Sequence, residues 1–310
     1  MIKQFLAFLL STKQNDMLLK FVVLLAILFF ILTRNKPHLR KEGFEQREKF
    51  VLKRDTDAYD DFYAPVYEHL YDLPKQSSLE IKEIVSSTQP NPQKSVMLDA
   101  GCGTGLFVSK LRDAGFTIYG IDKSEEMVKY SKMAYPGTQI KCGDVLNPLE
   151  FERSTFTHIT CMNFTIYSFK NKALFFRNCQ QWLVPHGYLF LHLVNPNKFD
   201  PITPAGKPAL LDNPQTYAKE RITSTAIDFD DFKYRSSFDF NQLGDNGMVT
   251  HTETFTDISS GHVRQNEHML YMVDEKVILA LAERCGFVLK GQFNVTKDKH
   301  QSVYIMEKVA

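Results

Sequence analysis

Three carboxylates and a run of glycines stand where this sequence could do chemistry. Asp99-Ala100-Gly101-Cys102-Gly103-Thr104-Gly105 lies between an apolar run and a helical pattern, where glycines let a ligand approach the backbone and meet a helix N-terminus. A dinucleotide-binding turn needs glycine at 106, but the residue is Leu106, and an NAD(P) site is disfavoured. No Lys-Ser/Thr pair follows, so this is not a phosphate-cradling loop either. Asp122 comes 23 residues after Asp99, at the end of the next apolar run, positioned to accept both hydroxyls of an unphosphorylated ribose. Gly143-Asp144-Val145 follows the third run; a carboxylate there can accept from the exocyclic amine of adenine.

Such groups act together only if strand ends bring them together. From Val96 short apolar runs alternate with helical stretches, which predicts an α/β doubly wound, Rossmann-like sheet. Strands are expected at 96–100, 117–122, 139–142, 158–163 and 188–194, and helices at 105–114, 124–134 and 172–183. Val184-Pro185-His186-Gly187 reads as a tight turn into the fifth strand. Residues 195–272 break the alternation with prolines and then period-two segments at 232–240, 248–256 and 262–272, an antiparallel β insert after strand five. A helix at 274–285 and strands at 287–295 and 302–308 resume the pattern. Ahead of this core, Tyr59, Phe62, Tyr63, Val66, Tyr67, Leu70 and Tyr71 recur with helical spacing around Pro65. That face either packs on the core or lids a ligand.

The N-terminal end differs in character. Residues 17–32 are apolar apart from Lys20 and as a helix would span about 24 Å, close to a ~30 Å hydrocarbon core. Residues 17–33 are therefore expected to be an uncleaved transmembrane helix, preceded by a tail at 1–16 and followed by a charged tether at 34–57 that turns helical near 45–53. Basic residues dominate after the span, placing the body (58–310) on the cytosolic side. Residues 1–54 hold eleven Lys/Arg and four acids, and the rest 26 against 32. A body with an acidic balance argues against a nucleic-acid partner. Five cysteines without a C-x-x-C pair suit a reducing compartment.

LDAGCGTG, the acid of GIDKSEEM and CGDV, in that order, resemble the class I S-adenosylmethionine-dependent methyltransferases over about residues 95–195. The resemblance implies S-adenosylmethionine as cofactor, with Asp99, Gly101, Cys102 and Gly103 around its methionine part and Asp122 on the ribose. It further implies Lys123 and Met127 on the adenine face, Asp144 and Val145 at the adenine edge, and Asn163 after strand four. Met127 and Asp99 also have structural readings, as a core residue and as a cap of the glycine turn. Asn163-Phe164-Thr165-Ile166 departs from the motif of methyltransferases acting on bases in DNA. No Asp pair follows strand four to hold Mg²⁺, so no metal is expected. The Tyr-rich helix and the insert look most similar to small-molecule N-methyltransferases, including those acting on amino sugars.

A general base is needed only for an acceptor that arrives protonated. His192, toward the C-terminal end of strand five, is the first candidate, with a core histidine as the alternative. His251 and His268 on the insert strands follow, each with a surface-facing position as the alternative. The insert's Phe229, Phe232, Tyr234, Phe238, Phe240 and Phe255 could wall an acceptor site. The expectation is a membrane-anchored methyltransferase acting on a small-molecule amine or hydroxyl, with a lipid-soluble acceptor as one form that the anchor would keep near. The alternatives are a protein or lipid methyltransferase at the membrane and a non-catalytic cofactor-binding module.

Overall fold

A computed structural model describes residues 48–207, 213–294 and 296–309, together with Phe21 and Leu25, both helical. Among the described residues no helix is long and apolar enough to cross a membrane. The expected anchor at 17–33 lies outside them, Phe21 and Leu25 apart, as do the tail and most of the tether.

Within the unit Phe44–Ala310 the chain forms, in order, β1 (Phe50–Arg54), α1 (Tyr63–Leu70), α2 (Leu73–Thr88), β2 (Val96–Ala100), α3 (Leu106–Asp113), β3 (Thr117–Asp122), α4 (Glu125–Ala134) and β4 (Gln139–Cys142). There follow β5 (Phe156–Cys161), α5 (Lys172–Trp182), β6 (Leu183–Val194), β7 (Ser224–Asp228), β8 (Phe232–Asp239), β9 (Met248–Asp257), β10 (Val263–Tyr271), α6 (Glu275–Arg284), β11 (Phe287–Phe293) and β12 (Gln301–Lys308).

Seven strands in the order β11-β12-β6-β5-β2-β3-β4 make the main sheet. Its strands from β6 to β4 are parallel, and β12 and β11 close one edge antiparallel. Along β6, Leu189, Leu191 and Leu193 join one apolar cluster with Trp182, Phe175 and Phe176, and Phe190 joins another with Ile84, Met97 and Val108. Both faces of the sheet are thus covered, which is why its strands read as near-continuous apolar runs. The order reverses between β2 and β5, and a crevice opens beyond the carboxyl ends of strands at such a point.

The insert forms the second sheet, ordered β1-β10-β9-β8-β7, antiparallel except that β1 pairs parallel with β10. Here the tether reading is corrected: Phe50–Arg54 is a strand of this sheet, not a helix. Its partner lies some two hundred residues on, and local charge density carries no signal of that pairing. Residues 184–187 do not make a separate turn either. They loop out within β6, between Leu183 paired to Phe156 and Tyr188 paired to His158, with His186 at φ 60. Cys142 is exposed, unlike the buried Cys102, Cys161 and Cys179.

The insert's buried face is partly charged. Arg264 donates to Asp60 Oδ2 at 2.8 Å, the Ala58 carbonyl at 3.0 Å and Asn266 Oδ1 at 3.0 Å, and its guanidinium lies 4.8 Å from the centre of the Phe62 ring. One side chain thereby fastens the segment before α1 onto β10. Arg264→Ala strips a donor from Asp60 and from a buried carbonyl. Because Asp60 retains some solvent contact, urea denaturation should show a loss of about 2–3 kcal/mol, short of a fully buried pair, with partial recovery in Arg264→Lys.

Candidate functional site: a cavity roofed by the insert

The turn after β2 is built around glycine. Gly101 and Cys102 N–H both donate to the Ile121 carbonyl, at 2.8 and 3.1 Å, which draws the turn over the end of β3. Gly105, at φ +78, packs so tightly on α4 that a Cβ would lie 2.1 Å from Ser131 Oγ. Gly103, at φ +51, has nothing within 4 Å of where its Cβ would be, and it lines the cavity. That open face is the cradle a ligand's backbone approach requires.

Asp122 stands beside it at the tip of β3. Its Oδ2 accepts the Gly103 N–H at 2.8 Å and its Oδ1 the Ser124 N–H at 2.9 Å. Burial pushes its carboxyl above the usual carboxylate range, opposed by the backbone N–H groups of Ser124, Gly103 and Lys123. Each oxygen keeps a lone pair, so a ribose diol could be received here. Ser124 caps α4 by accepting the Met127 N–H at 3.1 Å and donates to the Tyr59 carbonyl at 2.6 Å, tying the carboxylate's support to the segment before α1.

The cavity encloses about 430 Å³. Of the expected residues, Gly101, Gly103, Asp122, Lys123, Met127, Asp144 and Val145 line it. Met127 is 1% exposed and so is at once a core residue and part of the wall. Lys123 Nζ donates to Asp144 Oδ2 at 3.0 Å, and Asp144 Oδ1 accepts the Leu146 N–H at 2.9 Å, a link between the two loops the sequence did not announce.

Four expected residues are not brought to this wall. Asp99 is buried behind the turn and accepts from Thr160 Oγ1 at 2.7 Å; burial pushes its carboxyl up to about 7. Cys102 is buried beneath the loop. Asn163, at φ 53, accepts from Gln76 Nε2 at 2.7 Å. His192, 2% exposed, donates from Nδ1 to the Asn163 carbonyl at 3.0 Å, and burial lowers its pKa to about 4. It occupies the core position that was its alternative, and the base role expected of it has no cavity geometry behind it.

The opposite wall comprises Tyr59, Tyr67, Phe164, Phe169, His268 and Tyr271 with their neighbours. The tyrosine face ahead of the core signalled part of it; His268 was legible only as one of two histidines on insert strands. Both histidines are buried, not surface-facing. His251 stacks on Phe238 with centroids 4.2 Å apart, and burial lowers its pKa to about 4. Glu253, fully buried, accepts from Tyr234 Oη at 2.8 Å, Tyr71 Oη at 3.4 Å and His268 Nε2 at 3.3 Å. Burial alone would raise its pKa, but the His268 hydrogen bond and both imidazoles hold it down at about 2. Donor atoms of His251, Glu253 and His268 lie within 4.8 Å of one another. Of the insert aromatics, Phe232, Tyr234, Phe238 and Phe255 are buried in packing around Phe62, Tyr63, Phe164 and Phe199 rather than lining the cavity.

Comparison with known proteins agrees with this geometry. Residues 98–191 match the family described as "Methyltransferase domain". The ubiquinone biosynthesis O-methyltransferase of Coxiella burnetii is 30% identical over 105 residues, 33% of this chain and 44% of the relative. The chain thus spans less than half the length of the curated relatives it matches. The CcbJ methyltransferase of Streptomyces caelestis has a similar fold, with TM-score 0.61 and 16% identity over 83% of this chain and 100% of that one. So has an amino pentose methyltransferase from Micromonospora echinaspora, solved with S-adenosylmethionine bound, with TM-score 0.54 and 14% identity over 80% and 97% of the two chains. Residues 98–191 thus match a methyltransferase domain, set in a fold shared with solved methyltransferases that use S-adenosylmethionine.

The open Gly103 face and the free lone pairs of Asp122 fit that cofactor. Asp122→Ala removes the acceptor for two hydroxyls at about 1.5–3 kcal/mol for charge-assisted bonds. Calorimetry with S-adenosylhomocysteine should show affinity falling at least tenfold in a folded variant; unchanged affinity would refute the ribose assignment.

Proposed function

We propose that the protein transfers the methyl group of S-adenosylmethionine to the nitrogen or oxygen of a small-molecule acceptor admitted beneath the insert. The observation that supports this reading is the two-sided cavity: cofactor loops on one wall and a Tyr-rich, mostly aromatic wall on the other. When bound, the cofactor supplies a methyl group already activated on a sulfonium. The protein's task is then to hold the acceptor close, aligned and dry. Tyr59, Tyr67, Phe164 and Phe169 exclude water from that space, and tyrosine faces favour an acceptor that arrives as an ammonium ion. The amino pentose methyltransferase shares the fold, which adds weight to an amine.

The apolar stretch at 17–32 and the basic residues after it support a second element of the reading. It anchors the protein by a single span with the domain facing the cytosol, where a lipid-soluble acceptor would be concentrated.

Both elements are tested together by separating the full-length protein into membrane and soluble fractions and incubating each with methyl-labelled cofactor and fractionated small-molecule extract. Label should enter a low-mass product in the membrane fraction, and a chain beginning at Glu48, just ahead of β1, should move to the soluble fraction with transfer intact. Label in protein would point to a macromolecular acceptor, and absence of cofactor consumption to a binding module. A folded chain from Glu48 that still pellets would refute the anchor.

A further inference from the structure

We propose that His268 is the base of the acceptor site and that Glu253 is the residue that positions it. The inference rests on the methyl-transfer reading and adds to it the place where the acceptor's proton goes. Residues 268 and 251 are directly opposite each other on β10 and β9, and their rings run nearly parallel, 23° apart with centroids at 5.8 Å. Only His268 also lines the cavity.

Its two nitrogens are in different situations. Nε2 meets Glu253 Oε2 at 3.3 Å. Glu253 is met by donors on both oxygens, the Tyr234 and Tyr71 hydroxyls on Oε1 and His268 on Oε2, which favour its ionised form against the effect of burial, and a carboxylate can only accept. Nε2 must therefore carry the proton. In the neutral ring Nδ1 is then a bare lone pair, the arrangement by which a buried acid prepares a histidine base. Glu253 cannot rotate out of this role, because Tyr234 and Tyr71 hold its other oxygen.

The groups facing His268 suit the task. From the segment before α1 come Asp55, whose Oδ1 accepts the Met269 N–H, and Tyr59, whose ring centre is 5.1 Å away. From α1 come Tyr63, with its ring centre at 6.2 Å, and Tyr67, which shares the cavity wall. From β9 come His251 and Glu253. Burial raises the Tyr59, Tyr63 and Tyr67 hydroxyls above their ordinary value, so they stay neutral. A proton arriving at His268 is therefore balanced by Glu253. In the step itself the acceptor's N–H or O–H bond breaks, its electron pair stays on the acceptor, and the proton forms a bond to Nδ1. The imidazolium later returns that proton to solvent.

Two measurements on the full chain decide the matter. In protein labelled with ¹⁵N-histidine, long-range ¹H–¹⁵N correlation, assigned against the His268→Gln spectrum, should show His268 at alkaline pH with Nε2 protonated and Nδ1 bare. Glu253→Gln should weaken that preference. A proton on Nδ1 would overturn the proposal whether or not an acceptor is in hand. With the acceptor recovered by labelling, His268→Gln should lower turnover by roughly 10² to 10⁴-fold while S-adenosylhomocysteine affinity stays within about twofold. Added imidazole should restore part of the turnover in His268→Gly, and Glu253→Gln should shift the acid limb of kcat/KM. Turnover within about threefold in His268→Gln would overturn the proposal. So would turnover abolished by EDTA and restored by Zn²⁺ or Mn²⁺, because His251, Glu253 and His268 would then be metal ligands. A wild-type protein that never consumes cofactor defeats the methyl-transfer reading itself; a working wild type with an equally active His268→Gln defeats the base alone.

Discussion

The site depends on one carboxylate held still. Asp122 sits at the end of β3 with one backbone N–H on each oxygen, Gly103 from the turn after β2 and Ser124 from the start of α4. Those two bonds fix three things at once: the curvature of the glycine turn, the entry angle of α4, and the direction of the remaining lone pairs. Ser124 extends the arrangement by capping α4 and donating to the Tyr59 carbonyl. The cofactor wall and the aromatic wall thus share a hydrogen-bonded strut. A buried carboxylate is costly unless its lone pairs are met, and a bound diol would meet those that remain.

The insert meets a related constraint by different means. Its inner face carries Arg264, Glu253 and two histidines among the rings of Phe232, Tyr234, Phe238 and Phe255 and smaller side chains. Each charge there has a partner of opposite or complementary character: Arg264 with Asp60, and Glu253 with His268 and two tyrosine hydroxyls. Breaking such a pair strands a buried charge, while the pair itself adds little net stability. The return is conformational definition: Arg264 meets Asp60 and the Ala58 carbonyl, and His268 meets Glu253, only when β10, β9 and the segment before α1 are in this register.

The parallel core was legible because local pattern and global structure agree there. The bounds of β2, β3 and β4 follow directly from apolar runs ending at Ala100, Asp122 and Cys142. Ser124 and Gly115 punctuated the helices where the structure places those turns. The carboxylates and glycines that converge on the cavity were legible for the same reason, since each sits at a strand end. What stayed hidden depends on contacts between distant segments. β1 forms only because β10 offers an edge. β7 follows a proline-rich stretch and pairs with β8, leaving little periodicity of its own. His192 and His268 were both strand histidines in the sequence; the sheet's pleat sends the first to the core and the packing of α1 leaves the second on the cavity. The depth of Glu253 was signalled only by its place between His251 and Phe255 on one face of a period-two segment.

The central claim is that the turn after β2 and the carboxylate of Asp122 together receive S-adenosylmethionine. A crystal structure of the protein with S-adenosylhomocysteine tests it most directly. The account predicts ribose hydroxyls on the two oxygens of Asp122, the amino-acid end of the ligand against Gly103, and the adenine between Met127 and Val145. Ligand density elsewhere, or a cavity that stays empty at saturating ligand, would contradict it.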